Sequence, residues 1–369
     1  MNRLSEIIAL EIANHGVISF SRFMELALYC PVCGFYEKEK DNLGRRGDFF
    51  TSVSVGSVFG ELLALRFAGW LAGLDGADSG VKIVEAGAHN GLLAKDILTW
   101  LRRNRAELFE RIVYGIVEPS PRRRSWQQET LAGFDGRVCW GSHLRDLAGG
   151  GGLNGIIFSN ELLDAMPVRR IGWAKAREQW FEWGVTLREE RFVWAKIPAP
   201  EPAFEGPAAP DELRRRLPDD FTTEICPAAE NWWRDAAGLL QRGKLLTMDY
   251  GLSAEEFFLP ERKEGTLRAY HRHRPAADVL ANAGEQDLTA HVNFSTIIAA
   301  GESAGLKTEM FQTQAQFLTG ILEQASREKN FDEWSAGRAR QFQTLTHPEH
   351  LGRAFRVLVQ SRQSGDCNS

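Results

Sequence analysis

Three stretches of this chain hold side chains whose types and spacing could do chemistry. The first is Glu85-Ala86-Gly87-Ala88-His89-Asn90-Gly91, an acid followed by a G-x-x-x-G spacing. A dinucleotide's pyrophosphate would call for G-x-G-x-x-G at a helix start, and that spacing is absent here. Glycines behind an acidic strand end suit a ligand without phosphate. S-adenosylmethionine is such a ligand, because its methionine and ribose must pass close over the backbone. The second stretch is Glu118-Pro119, where a carboxylate ending the next strand can accept ribose hydroxyls. On spacing alone the alternative stays open that the glycines serve only turn geometry and that Glu118 is a solvated surface acid. The third stretch is Asn160-Glu161-Leu162-Leu163-Asp164-Ala165-Met166-Pro167. Glu161 and Asp164 are three apart, so on a helix they would share one face. Paired carboxylates beside a methyl donor suit a cationic acceptor. Arginine keeps its proton at neutral pH, and its planar guanidinium pairs with carboxylates. The alternative reading, with Glu161 as a cap and Asp164 bonded to local backbone, is equally open at this point.

Those residues need elements that bring them to one place. Val81 to Glu85 predicts a short buried strand, and Leu93, Ile97 and Leu101 a helix after it. Further strands are expected at Ile112–Val117, Arg137–Trp140, Gly155–Ser159 and Leu245–Asp249. Alternation of this kind predicts an α/β fold with a mostly parallel sheet covered by helices on both faces. Ligands of such sheets lie outside the strand C-termini, at the point where strand order reverses. Helices are also expected around Leu4–Ile12 and Phe20–Leu28, and along the stripe Phe59, Leu63, Phe67, Trp70, Leu71, Leu74. Residues 42–47 read as a turn. Val168 to Ile197 holds three short β-type runs rich in Trp and Phe, and Pro198 to Pro210 reads as a surface connector. Lys307–Gln312 and Ala354–Gln360 read as two more strands, with mostly helical sequence between them. The domain expectation is a helical segment over residues 1–75 packed on a core spanning 76–362. That core has insertions at about 168–225 and 313–350, and residues 363–369 form a disordered tail.

Composition narrows the class. A hydrophobic fraction of 43% with 25% charged residues lets a core form without staples. The formal charge of -5 argues against a nucleic-acid partner, which would want a basic stripe. Cys30 and Cys33 form a lone C-x-x-C, and no second pair completes a zinc site, so no metal is expected. No apolar run reaches the roughly 18 residues of a membrane span. The N-terminus carries Glu6 and Glu11 and lacks a signal or transit pattern, so a cytoplasmic location is expected. The aromatic insertion around Trp180 is a candidate homodimer contact.

Motifs along nearly the whole chain resemble the MidA family, whose mitochondrial members are complex I assembly-factor methyltransferases. They are Gly47-Asp48-Phe49-Phe50-Thr51-Ser52, the glycine turn, Val117-Glu118-Pro119-Ser120, Asn160 to Val168, Asp249-Tyr250-Gly251, Gly265 to Tyr270 and Gly284 to Phe294. The resemblance implies a Rossmann-like class I methyltransferase core with N-terminal helices and with helical and antiparallel β insertions. It implies S-adenosyl-L-methionine as cofactor, held by Glu85, Gly87, His89, Gly91, Glu118 and Asn160. Asp48 and Thr51 would lie near the cofactor or acceptor. Glu161 and Asp164 would be catalytic, on an acceptor side shared with His271, His273 and His291. The implied reaction is methylation of an arginine on a partner protein, of the complex I subunit type. His89 departs from the family's glycine, which leaves four readings open: its side chain crowds the methionine moiety, demands an unfavourable backbone angle, turns away, or bonds the cofactor carboxylate. A damaged, non-catalytic assembly factor is the competing expectation.

Overall fold

Among the described residues eight strands form the sheet that carries the site, seven of them in one row: β1 (Lys82–Ala86), β2 (Val113–Val117), β3 (Val138–Gly141), β4 (Leu153–Asn160), β5 (Leu240–Leu252), β6 (Lys307–Thr313) and β7 (Phe355–Arg362), with the short Val292–Asn293 pairing parallel to the end of β5. Their spatial order is β3-β2-β1-β4-β5-β7-β6. The pairs β2–β3, β1–β2, β1–β4 and β4–β5 are parallel, whereas β7 runs antiparallel to both β5 and β6. The strand order reverses between β1 and β4. The structure, a computed structural model, describes residues 2–38, 51–74, 81–197, 211–271, 274–328 and 334–363. The connector expected at 198–210, the turn at 42–47 and the tail beyond 363 lie outside the described residues.

The helices that position the site are α1 (Arg3–His15), α2 (Phe20–Tyr29), α3 (Ser52–Val55), α4 (Val58–Ala72), α5 (Leu92–Asn104), α6 (Pro121–Thr130), α7 (Pro227–Leu239), α8 (Phe294–Ser303) and α9 (Gln314–Glu328). Strand side chains alternate between two faces, and both faces are apolar. Ile83, Ile156, Leu246 and Val357 pack against Phe59 and Phe67 of α4, Ile97 and Leu101 of α5 and Phe317 of α9. Their sequence neighbours Val84, Ile157, Leu245 and Leu358 pack on the other face with Trp233 of α7 and Ile297 of α8. Each fully buried aliphatic side chain contributes about 1.5–3 kcal/mol, so this double-sided burial fixes which way every strand faces. Among the described residues, no helix is long and apolar enough to cross a membrane.

The expected insertion is an antiparallel sheet. Arg169–Ala174, Gln179–Arg188 and Arg191–Ile197 form a meander, and Thr222–Ile225 joins its edge. Ile18–Ser19 pairs with the middle strand of the meander, opposite Val185 and Gly184. As a result α1 and α2 pack on the insertion and on residues 267–290 in a cluster of their own, while α4 belongs to the main core. Trp180 is not a contact surface. It is buried, its ring centroid 4.8 Å from that of Trp173. The rings nearer the outside are Phe181 and Trp183, beneath Lys196, and Trp194, beneath Arg170.

Candidate functional site

A cavity of about 740 Å3 lies outside the carboxyl ends of β1, β2, β3 and β4. That volume is ordinary for a site that swallows a small molecule. Its wall includes Glu85, Gly87, His89, Glu118, Asn160, Glu161 and Asp164, so most of the residues singled out above converge there.

The first half of the cavity is built on the turn after β1. Glu85 is buried, and its carboxyl accepts the Tyr114 hydroxyl at 2.7 Å. Burial pushes Glu85 up to about 7, against the opposing pull of that hydrogen bond. Gly87 sits at φ +80, and a Cβ there would lie 3.1 Å from Leu162 Cδ1. Glycine is therefore required twice over, by backbone angle and by close approach. Gly91, also left-handed, opens α5. His89 adopts φ +44 although it carries a side chain. Its ring lies beside Trp126 of α6, centroids 6.2 Å apart, and its carbonyl accepts Gln127 Nε2 at 3.0 Å. Of the readings open for His89, the unfavourable backbone angle is the one the structure shows, with the ring beside Trp126 on the cavity wall. The left-handed angle costs a non-glycine residue about 1–2 kcal/mol. His89→Gly is therefore expected to raise unfolding stability by about 1 kcal/mol in a urea titration. An unchanged or lower midpoint would mean that the contact with Trp126 outweighs the strain.

Glu118 is buried at the end of β2 and already serves three donors. Its Oε1 accepts Ser120 N at 2.9 Å and Arg123 Nε at 3.0 Å, and its Oε2 accepts Gln127 Nε2 at 3.0 Å. Ser120 caps α6, with Pro121 at its first position, and so aims this turn at the carboxylate. Arg123 also pairs with Glu37 at 3.1 Å. A carboxylate offers about four acceptor positions, which leaves room on Glu118 for another hydrogen bond from a ligand hydroxyl.

The second half is acidic. Asn160 ends β4, and no helix follows it. Residues 161–166 form bends and turns, so Glu161 and Asp164 do not share a helical face as expected. Glu161 takes φ +52, and Asp249 holds the turn by accepting Leu162 N at 3.1 Å and Leu163 N at 2.8 Å. Glu161 Oε1 accepts Ser52 N and Asn160 Nδ2, each at 3.0 Å. Thr51 caps α3, presenting that Ser52 amide, and itself lines the cavity. Glu161 Oε2 and Asn160 Oδ1 are buried with no hydrogen-bond partner among the described residues. Burial pushes Glu161 up to about 8, and the charges of Asp249 and Asp287 add to the rise. Asp164 is raised well above the usual carboxylate range by burial and by Asp249, Glu161 and Asp287. Asp249 itself is pushed up to about 7 by burial, opposed by its backbone hydrogen bonds. The cavity is thus a place where negative charge is costly until a cation arrives.

Several expectations fall elsewhere. Asp48 and His273 lie outside the described residues. His271 bonds the Glu285 carbonyl at 2.7 Å, away from the cavity wall. His291 is also off that wall, and burial with Arg262 and Arg268 pushes it down to about 4, so it is neutral at physiological pH. Cys30 and Cys33 are free thiols 3.4 Å apart in the turn after α2, likewise off the wall. Tyr29, Tyr36 and Asp287 join the wall without having been singled out as site residues. Asp287 stands in a motif quoted above, but nothing in local spacing shows that residues so far apart in sequence meet.

Comparison with known proteins agrees with this geometry. The family model described as "Putative S-adenosyl-L-methionine-dependent methyltransferase" matches residues 62–312. The mitochondrial protein arginine methyltransferase NDUFAF7 of Danio rerio is 31% identical over 78% of this chain and 69% of its own length. Its Mus musculus counterpart is 29% identical over 80% of this chain and 69% of its own length. A crystal structure from Burkholderia thailandensis, solved with S-adenosyl-homocysteine bound, superposes with a TM-score of 0.81 at 32% identity. That match covers 99% of this chain and 92% of the other. The cytoplasmic location expected from the N-terminal sequence is contradicted by the names of these curated relatives, which are mitochondrial proteins. With the strand order, the open cavity and these matches in agreement, the chain belongs to the MidA-type family of S-adenosylmethionine-dependent methyltransferases, as its motifs lead one to expect.

Proposed function

We propose that this methyltransferase acts on an arginine side chain of a partner protein. The observation that carries this reading is the buried Glu161 carboxyl, with one oxygen unpartnered among the described residues, beside Asp164 on the cavity wall. A neutral acceptor would leave those acids uncompensated. A guanidinium supplies the charge and the planar donors they lack. The names of the relatives, protein arginine methyltransferases, point the same way.

Residues fit the cofactor at the first half of the cavity. Gly87 would leave space for its methionine portion, and Glu118 would take a ribose hydroxyl, whereas Gly91 lies off the cavity wall, where a Cβ would meet Gln127 and Leu131 at 3.4 Å. Glu85, His89, Asn160 and Thr51 line the remaining wall around it. When bound, S-adenosylmethionine supplies a methyl group on a positively charged sulfur. The chain holds the acceptor in line with that methyl, which removes most of the entropic barrier. Glu161 and Asp164 orient the guanidinium. As the new N–C bond forms, the methyl–sulfur bond breaks and its electron pair stays on sulfur, while one N–H proton leaves, which the Glu161 carboxylate would take.

The test separates the two halves. Glu118→Ala is expected to weaken S-adenosylmethionine binding about tenfold by calorimetry, the loss of one charge-assisted hydrogen bond. Unchanged affinity would remove Glu118 from the cofactor site. The acceptor half is tested by methyl transfer to arginine-containing proteins of a host-cell extract, with methylarginine read by mass spectrometry. Label appearing on another residue type would overturn the arginine reading.

A further inference from the structure

Two buried carboxylates share the first turn of α6. Glu118, at the end of β2, lines the cavity, whereas Glu37, in the short helical turn Phe35–Glu37, lies behind its wall. They are 2% and 6% exposed, so each needs its charge matched by fixed donors. Each accepts one donor from Ser120 and one from Arg123. Ser120 N donates to Glu118 Oε1 at 2.9 Å, and Ser120 Oγ donates to Glu37 Oε2 at 2.8 Å. Arg123 Nε donates to Glu118 Oε1 at 3.0 Å, while its Nη1 meets Glu37 Oε1 at 3.1 Å. Arg122 anchors the same turn by donating to the Glu37 carbonyl. One guanidinium thus serves two acids, and the second acid comes from a distant segment of the chain.

This division matters to Glu118. Its Oε1 takes two donors and its Oε2 takes Gln127 Nε2, which leaves one of about four acceptor positions. An arginine facing a single carboxylate tends to pair with both of its oxygens. Bidentate pairing here would fill that last position. Glu37 holds the Nη1 corner of the guanidinium on itself, and Nε alone bonds Glu118.

We propose that Glu37 is a positioning residue for the cofactor: by sharing Arg123, it keeps one acceptor position of Glu118 open for a ribose hydroxyl. This rests on the reading of Glu118 as the ribose acid given above. Glu37 itself touches no ligand. Without its charge, Arg123 has one buried carboxylate left to pair with, and a buried ion without its partner is costly. The guanidinium then turns onto both oxygens of Glu118 and competes with the ribose.

The experiment titrates the full chain by calorimetry with two ligands, S-adenosylhomocysteine and an analogue whose ribose lacks both hydroxyls. The ratio of the two affinities is the ribose contribution, expected to be about tenfold in the wild type. Glu37→Gln keeps the shape of the side chain and an acceptor for Ser120 Oγ. It should bind S-adenosylhomocysteine about five- to tenfold more weakly and the analogue as the wild type does, so that the ribose contribution disappears. General loosening of the site would instead weaken both ligands alike. Adding Arg123→Gln to Glu37→Gln removes the competing guanidinium and should return the ribose contribution to within about threefold of the wild type, a rescue that two merely structural losses would not give. Should Glu37→Gln fail to fold, the double variant decides alone: a retained ribose contribution supports the proposal and a lost one overturns it. Glu37→Gln with the wild-type ratio, equal weakening of both ligands, or no rescue in the double variant would each overturn this proposal and leave Glu118 as the ribose acid. A wild type that binds both ligands equally, or a Glu118→Ala variant that keeps the wild-type ratio, would overturn the Glu118 reading and this proposal together.

Discussion

Glu161→Gln should cut methyl transfer by about 10²–10³-fold while leaving S-adenosylmethionine affinity within about threefold, the size of effect expected when a positioned acid-base group is removed. The amide keeps the shape and can still accept Ser52 N, so the fold should survive. What it cannot do is carry negative charge or take a proton. The same residue sets a pH signature. Burial pushes Glu161 up to about 8, so at pH 7 it is mostly protonated. Rate at low acceptor concentration should therefore rise from pH 6 to pH 8 and then level off. In Glu161→Gln that limb should vanish, leaving whatever Asp249, at about 7, contributes. Stability should move the opposite way. A carboxyl raised from 4.5 to about 8 keeps a proton in the folded chain that the unfolded chain has lost. Its contribution is thus present below about 4.5 and declines as pH rises towards 8. Unfolding midpoints between pH 5 and 8 should fall less steeply in Glu161→Gln. Wild-type turnover in that variant, with the limb near 8 intact, would remove Glu161 from the chemistry.

Gly155→Ala should destabilise the protein by about 3–5 kcal/mol, read as a lower urea midpoint, because no local shift can accommodate the methyl. Gly155 lies in β4 at φ +142, and a Cβ there would sit 1.9 Å from the Lys82 carbonyl oxygen of β1. Backbone cannot swing aside as a flexible side chain can. This contact sets the register that places Ser159 opposite Ala86, so that Asn160 and Glu161 arrive beside Gly87. A strand slipped by one residue would reverse its faces. Whatever remains folded in Gly155→Ala should accordingly bind cofactor poorly. A variant of wild-type stability would show that β1 and β4 are not locked in this way.

Much of the core was legible because its signals are local. Apolar runs such as Ile112 to Val117 mark buried strands, and the stripe from Phe59 to Leu74 marks a helix. β5 proved longer than the predicted Leu245–Asp249, running from Leu240 to Leu252, because Gly243 and the polar residues around it interrupt the apolar run. The helix expected after Asn160 is missing for a reason that sequence spacing does not reveal. Asp249, from another strand, captures the Leu162 and Leu163 amides that a helix would otherwise present. Glu118 could be read as a ribose acceptor, but not as a hub for Arg123 and Gln127. Ile18–Ser19 is too short to carry a strand signal, and it exists only because the insertion offers an edge. The acidic wall of the cavity was the least legible part. It depends on Tyr29, Tyr36 and Asp287 meeting from segments far apart in the chain, and each of them alone looks like an ordinary buried polar residue.

The pairing of Ile18–Ser19 with Val185 and Gly184 has a consequence for how the molecule matures. Ile18–Ser19 is synthesised well before its partner strand, and Asp287 is made later still. Contacts that close such long loops form slowly. The glycine turn and the end of β2 lie in neighbouring stretches, whereas the acidic wall draws Ser52, Asp249 and Asp287 together from distant ones. The acidic half of the cavity should therefore be the last part of it to form.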